Sequence, residues 1–310
     1  MAGAFTHFII CDVAKRRRSV IGAELWKILN RHSEFLFLGA ASPDLPYLSF
    51  KAGEVNWADV MHYESTSGIV ASGYNELKGH WPSKTVADEI KLAWLLGYVS
   101  HLVADATIHP VVQAIVGLYE ENKEEHRICE MTQDSLIFHM NKKTDIYYGE
   151  FSSILKFCKE SPHFDDVMEF WKGQVLYNYA DKGEEPHPTF WFTTYTKAID
   201  AAEGGSDVVG LFRHLGIGTD YIYRPRDEIV RDYPEYFEKY FQKVKLPDGN
   251  VGSFSSDGFE KAVINLLSAW NTLYSGLGTA AIVALSIIKN WNLDTGVNMD
   301  SPKKEVTYWA

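Results

Sequence analysis

The amino-acid sequence predicts an all-α protein, with a single domain of many helices extending over residues 1–310. Two observations lead to this fold class. Apolar residues recur at helical spacing through most of the chain, whereas strand-like patterns are weak and confined to "DYIYRP" and "EVTYWA". The apolar content is 46% and the charged content 23%, which is typical of a globular protein with a substantial core.

Two helices are predicted before residue 33. Thr6 is a candidate N-cap for a helix that ends at Arg16, and "IGAELWKILNRH" forms the next helix. The prolines and glycine of "FLFLGAASPDLPYLSF" predict an apolar run that enters a loop. This loop is expected to continue through "VNWADVMHYEST".

Two longer helices follow. "SKTVADEIKLAWLLGYVSHLVADATIH" has Ser83 or Thr85 as its cap, and Pro110 is a candidate kink because proline removes one helical hydrogen bond. "EENKEEHRICEMTQDSLIFHMNKK" begins with acidic residues and ends with lysines, as the helix dipole favours. Further helices are predicted at residues 147–160, 164–181, 190–202, 226–243 and 257–290. The best candidate boundary, "KGEEPHPT", is not expected to separate two cores.

Charge and cysteine content limit the classes of function. A net charge of −11 argues against binding to long nucleic acids, which depends on basic residues, but is compatible with a small phosphate ester or a zwitterionic lipid. Three cysteines form no paired framework, and the apolar N-terminal stretch precedes the basic run instead of following it. A cytoplasmic location is therefore expected.

The uncharged segment Val263–Ile288 is long enough to span a membrane, but its polar residues favour a buried helix or two helices.

The stretch "GYVSHLVADATIHPVV" carries three polar groups at four-residue steps: His101, Asp105 and His109. Each step advances the helix by roughly 400°, or about 40° net, so the three groups share one narrow stripe. The residues between them, such as Leu102 and Val103, have the character of a core. Buried imidazoles and carboxylates need partners, because desolvating them alone costs several kcal/mol.

A similar pair lies on the following helix. His126 and Glu130 are four residues apart in "HRICE", and Asp134 continues the same face. Zinc binds histidine nitrogen and carboxylate oxygen, commonly with four ligands. Five such side chains on two helices exceed the need of one ion and indicate two metals. A buried polar network without metal is the alternative that this pattern leaves open.

"SHLVADATIHP" together with "HRICE" resembles the zinc-dependent phospholipase C family. The catalytic domain of the glycosylphosphatidylinositol-specific phospholipases is similar, and the fungal single-strand nucleases are more distant. "FTHFIICD", "LGAASPDLPY" and "MHYE" resemble further family landmarks in the same order, so the resemblance covers about residues 5–140. It implies a mostly helical fold with two or three zinc ions.

The resemblance also implies how the ligands are shared. One ion would be bound by Asp44, His62, His101 and Asp105. The second, more open ion would be bound by His109, His126 and Glu130. The third would be bound by His7 and Asp105, so that Asp105 bridges two ions, and Asp44 is the implied general base.

One family feature is missing near the third site. Many members complete it with the amine and carbonyl of an N-terminal tryptophan, and no tryptophan precedes His7 here. If Met1 is removed, the amine of Ala2 lies five residues before His7, a spacing that resembles the nucleases. A complete third site, and with it full activity, would then depend on the amine of Ala2 taking the place of the tryptophan amine.

Together these features predict a zinc-dependent hydrolase of phosphodiesters that uses metal-activated water on a phospholipid-like substrate, with transient contact to a membrane surface. Residues 145–310 are expected to recognise the head group of the lipid substrate. Tyr47 and Tyr63, beside Asp44 and His62, either line the substrate site or pack as aromatics. Two alternatives remain: a nuclease or nucleotidase on the same metal centre, and a metal- or lipid-binding module without turnover. The oligomeric state is left open.

Overall fold

The structure is a computed structural model that describes residues 3–49, 51–146, 148–182, 185–203, 223–278 and 285–310. The all-α prediction is confirmed. The first half contains α1 (Ala4–Arg16), α2 (Arg18–Ile21), α3 (Ala23–Arg31), α4 (Ser33–Ala41), α5 (Ala52–Tyr63), α6 (Gly68–His80), α7 (Val86–Val116) and α8 (Lys123–Lys142). The second half contains α9 (Tyr148–Glu160), α10 (Phe164–Tyr179), α11 (Pro188–Glu203), α12 (Arg226–Asp232), α13 (Pro234–Phe237) and α14 (Glu260–Leu277).

Short irregular helices and strands complete the described residues. Turns of 3₁₀ helix lie at Ser42–Ser49, Trp81–Ser83 and Leu285–Ile287, and π-helical turns lie at Glu238–Gln242 and Phe254–Phe259. Strands pair antiparallel as β1 (Val244–Lys245) with β2 (Val251–Gly252), and β3 (Trp291–Asn292) with β4 (Val297–Asn298).

The predicted loop from residue 35 to residue 66 is wrong. Helix α4, the 3₁₀ segment Ser42–Ser49 and α5 occupy most of it. The prolines Pro43 and Pro46 lie in the 3₁₀ segment, so neither interrupts the α-helices on either side. The glycine does not mark a turn either, since Gly39 lies inside α4 and faces a neighbouring helix.

Other predicted boundaries also change. Thr6 lies inside α1, whose N-cap is Gly3, while Thr85 does cap α7 with a complete capping box. Helix α7 continues through Pro110 to Val116, because burial on both sides outweighs one lost hydrogen bond.

The predicted helix 226–243 divides at Pro234, where Tyr233 leaves the helical conformation. Of the predicted helix 257–290, α14 ends at Leu277 and residues 279–284 lie outside the described residues. Val306 of "EVTYWA" forms only an isolated bridge with Val297. Residues 223–225 of "DYIYRP" form no strand, and residues 220–222 lie outside the described ranges.

Helices α4 and α7 approach each other backbone to backbone. A Cβ on Gly39 would overlap the carbonyl oxygen of Trp94, and a Cβ on Gly97 would overlap the carbonyl oxygen of Leu36. Glycine is therefore required at both positions by the close approach. The contact places the carbonyl oxygen of Ala40 beside α7, where a site residue uses it.

One helix in the described part of the chain, Val86–Val116, has the length and apolar composition needed to cross a membrane. Most of its apolar window is buried inside the protein, as in the core helix of a globular fold. This feature is weak evidence for a membrane segment. The single-domain organisation over residues 1–310 stays a prediction.

Asp134 of α8 fixes the start of α1. Its carboxylate accepts hydrogen bonds from the backbone N–H of Phe5 (3.2 Å) and Thr6 (2.8 Å), and from the hydroxyls of Thr6 (2.6 Å) and Tyr223 (3.0 Å). Burial raises the pKa of Asp134 to about 6 despite these bonds. The carboxylate of Asp134 therefore caps the N-terminus of α1, a role that the side chain of the N-cap residue usually has.

We expect Asp134→Ala to lower the free energy of unfolding by about 2–4 kcal/mol, because several buried donors lose their acceptor. Asp134→Asn should cost less, since its carbonyl oxygen still accepts from Thr6. Urea unfolding of both variants measures the difference. An alanine variant as stable as the unmodified protein would show that the cap contributes nothing.

Candidate metal centre

Six predicted ligands converge inside the fold from four elements: His7 of α1, Asp44 of the 3₁₀ segment, His62 of α5, and His101, Asp105 and His109 of α7. Five of the six, all except His109, supply the nitrogen and oxygen atoms of two overlapping groups. In each group three ligand atoms lie within 4.8 Å of one another. The two groups share His101.

The first group consists of Asp44, His62 and His101. Oδ1 of Asp44 lies 3.3 Å from Nε2 of His62 and 3.9 Å from Nε2 of His101. The two Nε2 atoms are 3.3 Å apart. The side chains of both histidines are fully buried, whereas that of Asp44 is 19% exposed. Asp44 is therefore the ligand of this group that solvent can reach.

Backbone carbonyls fix the tautomers of the two histidines. Nδ1 of His62 lies 2.7 Å from the carbonyl oxygen of Ala58, and Nδ1 of His101 lies 2.9 Å from that of Ala40. A carbonyl can only accept, so both Nδ1 atoms carry the proton. In the neutral rings, two Nε2 lone pairs then face each other. This arrangement is repulsive unless a cation or a proton lies between them.

The second group consists of His7, His101 and Asp105. Oδ1 of Asp105 lies 3.3 Å from Nε2 of His7 and 3.2 Å from Nε2 of His109. Oδ2 lies 3.2 Å from Nε2 of His101 and 4.0 Å from Nε2 of His62. The carboxylate of Asp105 thus joins the two groups, because its Oδ1 faces His7 and His109 whereas its Oδ2 faces His101 and His62.

The ionisation of these residues follows from their burial and mutual charges. Burial favours neutral carboxyls, but the imidazoles of His101 and His62 outweigh it and lower the pKa of Asp44 to about 2. Burial likewise opposes the charged form of His101, yet Asp105 and Asp44 raise its pKa to about 9. Burial lowers the pKa of His109 to about 3. The two carboxylates therefore favour a positive charge at His101, which either a proton or a metal cation can supply.

Several buried nitrogens lack hydrogen bonds to described residues. Both ring nitrogens of His7 and Nε2 of His109 are in this state, and the 3.3 Å contact from His7 to Asp105 lacks hydrogen-bond geometry. Buried polar atoms in proteins are normally hydrogen-bonded. Imidazole nitrogens aimed at a shared carboxylate are a donor set that zinc prefers. The residues present therefore fit a zinc cluster.

His126 and Glu130 are buried on α8, but neither belongs to the two three-ligand groups found among the described residues. Nε2 of His126 lies 2.7 Å from the carbonyl oxygen of Gly117, and its ring packs at 5.4 Å on Tyr119. Only Nδ1 of His126 is left to bind a metal. The assignment of His109, His126 and Glu130 to one ion stays a prediction.

Two tyrosines lie beside His62, and each donates a hydrogen bond to a further acid. The rings of Tyr47 and Tyr63 lie 5.5 and 6.1 Å from the ring of His62. Tyr47 donates to Oδ1 of Asp59 at 3.0 Å, and Tyr63 donates to Oδ2 of Asp294 at 2.9 Å. These distances agree with aromatic packing, and the lining of the substrate site by Tyr47 and Tyr63 stays a prediction.

Asp294 was not found by sequence reasoning. Its Oδ1 lies 3.8 Å from Nδ1 of His109. A lone aspartate in "NLDTGV" has no spacing that relates it to the histidines of α7. Only the fold brings it to the site.

A buried cluster of histidines around a shared carboxylate, within a mostly helical fold, is typical of helical metalloproteins. The profile of the family described as zinc-dependent phospholipase C matches residues 6–182, which include all eight predicted ligands. The chain belongs to the zinc-dependent phospholipase C family. No curated protein and no solved structure shows significant similarity to it.

Proposed function

We propose that the protein hydrolyses a phosphodiester bond of a phospholipid-like substrate in the manner of a phospholipase C. One observation carries this proposal: Asp105 stands between two groups of imidazoles in a chain of the zinc-dependent phospholipase C family. Family membership supports a zinc-dependent hydrolase and a lipid-type substrate. The net charge of −11 additionally argues against long nucleic acids as substrates, whereas it is compatible with mononucleotides.

The proposed zinc ligands are His7, Asp44, His62, His101, Asp105 and His109, and the short distances between their ligand atoms support this proposal. Bound zinc would supply positive charge that stabilises the phosphoryl oxygens and acidifies the attacking water. Two ions fit the two observed groups. A third depends on His126 and Glu130 or on an amine near the N-terminus, and we keep it as a proposal.

Asp44 is the proposed general base. It is the partly exposed member of its group, and its low pKa keeps it ionised at neutral pH. Its carboxylate would orient the attacking water and take its proton while the new bond to phosphorus forms. The bond from phosphorus to the diacylglycerol oxygen would break in the same displacement, and the leaving oxygen would take up a proton from solvent water.

We further propose transient contact with a membrane surface and a cytoplasmic location. Leu118 and Tyr119, in the connection between α7 and α8, are 51% and 39% exposed. Tyr119 also packs on His126, so this apolar pair lies beside a predicted ligand. The three cysteines are free, which agrees with a reducing compartment.

Parallel assays on phosphatidylcholine vesicles and single-stranded DNA test the function. We expect zinc-dependent release of diacylglycerol and phosphocholine, and no cleavage of DNA. Asp44→Asn should lower kcat by about 10²–10⁴-fold, because the proton acceptor is lost. Asp165→Asn, the same change at an exposed acid in the first turn of α10, is the matched control and should retain activity.

Two outcomes would contradict the proposal. Faster cleavage of DNA or mononucleotides than of lipid would identify a nuclease or nucleotidase. Full zinc loading without hydrolysis of either substrate would identify a binding module without turnover.

A further inference from the structure

We propose that Asp294 is a positioning residue for His109, supplied by a C-terminal segment beyond the family-matched residues. The inference rests on the zinc centre of the proposed function. Asp294 would orient the ligand His109, and no spacing in the sequence indicates this role.

The two ring nitrogens of His109 face two different carboxylates. Nε2 lies 3.2 Å from Oδ1 of Asp105, inside the cluster, whereas Nδ1 lies 3.8 Å from Oδ1 of Asp294. His109 is buried, and these two carboxylates are the acids within 4 Å of its ring nitrogens among the described residues. A carboxylate beside Nδ1 favours the proton on that nitrogen and leaves the Nε2 lone pair for a metal.

Asp294 is itself held in place. Its Oδ2 accepts a hydrogen bond from the hydroxyl of Tyr63 at 2.9 Å, which leaves Oδ1 facing His109. Tyr63 follows His62 directly on α5. The carboxylate of Asp294 therefore connects a neighbour of one predicted ligand to the ring of another.

The C-terminal segment, residues 285–310, docks at the helices that carry these ligands. The backbone N–H of Leu293 donates to the carbonyl oxygen of His62 at 3.1 Å. The indole N–H of Trp309 donates to the carbonyl oxygen of Thr107 at 2.8 Å, two residues before His109.

The turn after Asp294 depends on a glycine. Gly296 has a φ of +64°, and a Cβ there would come within 2.5 Å of the carbonyl oxygen of Ala106. The close approach of this turn to α7 brings Asp294 beside His109. Since the family profile matches residues 6–182, the segment that supplies this carboxylate lies outside the match.

Zinc binding by Asp294→Ala and Asp294→Asn tests the inference. In Asp294→Ala, one zinc ion per chain should bind about 10–100-fold more weakly, and the others should keep their affinity. Asp294→Asn should lose less, because its carbonyl oxygen can still present a hydrogen-bond acceptor toward the N–H at Nδ1. The measurements are elemental analysis, competition with a chromophoric chelator, and the visible spectrum of the cobalt-substituted protein.

Asp300→Ala is the matched control. Asp300 lies in the same segment but accepts from Asn290 at the exposed surface. Its variant should bind zinc as the unmodified protein does. Tyr63→Phe removes the same hydrogen bond from Asp294, so the thermal midpoint of the metal-free protein should be the same in Asp294→Ala and Tyr63→Phe.

The outcomes separate this inference from the proposed function. Unchanged zinc affinities and an unchanged cobalt spectrum in Asp294→Ala would overturn the positioning role. A uniform loss of all zinc sites together with a lowered metal-free midpoint would also overturn it, in favour of a structural role. Absence of zinc binding by the unmodified protein would instead refute the proposed function.

Discussion

Asp105→Asn is expected to remove zinc from both ligand groups and to lower phosphodiester hydrolysis by about 10³-fold or more. The reason is the position of the carboxylate. Its Oδ1 faces His7 and His109, and its Oδ2 faces His101. An asparagine keeps one oxygen and replaces the other with an N–H donor, which cannot ligate a metal.

Elemental analysis and activity should change together in this variant. Asp165→Asn provides the same chemical change at an exposed acid on α10 and should keep the zinc content unaltered. Far-ultraviolet circular dichroism of the metal-free protein should be the same in both variants. If Asp105→Asn retained its zinc and its hydrolysis, Asp105 would not be the bridge between the two groups.

Gly97→Ala is expected to destabilise the metal-free protein by about 2–4 kcal/mol. The added Cβ would overlap the carbonyl oxygen of Leu36 and lie 3.0 Å from the backbone nitrogen of Ala40. Both obstacles are backbone atoms of α4, so a rotamer change cannot relieve them. Separation of α4 from α7 would also weaken the contact between His101 and Ala40 that fixes the histidine tautomer.

Gly173→Ala is the control for this prediction. Gly173 lies inside α10, and a Cβ there would meet nothing within 4 Å. Its replacement should stabilise the protein by about 0.5–1 kcal/mol, since alanine favours a helix over glycine. Urea unfolding compares the two. Equal stability of Gly97→Ala and Gly173→Ala would show that α4 and α7 tolerate separation.

The ligand stripe of α7 was accessible to sequence reasoning because helical periodicity fixes it. Once His101, Asp105 and His109 recur at four-residue steps in an apolar helix, their common face follows from helix geometry. Periodicity does not determine how two helices turn toward each other. This explains why His126 and Glu130 share a face of α8 without joining either observed group.

Two other features could not be read from local sequence. The prolines after α4 indicate a loop in the sequence. In the structure, Pro46 lies inside a 3₁₀ segment that also carries Asp44. Asp294 reaches His109 only because the C-terminal hairpin packs on α5 and α7. Such long-range contacts depend on tertiary packing, for which a single sequence carries no periodic signal.

The central claim is that histidines and carboxylates of the first half of the chain hold clustered zinc ions. Anomalous X-ray diffraction at the zinc absorption edge, from crystals of the zinc-loaded protein, tests it most directly. The account predicts one peak among Asp44, His62 and His101, and a second beside Asp105 on the side of His7 and His109. Zinc-loaded crystals with no anomalous peak at either position would contradict it.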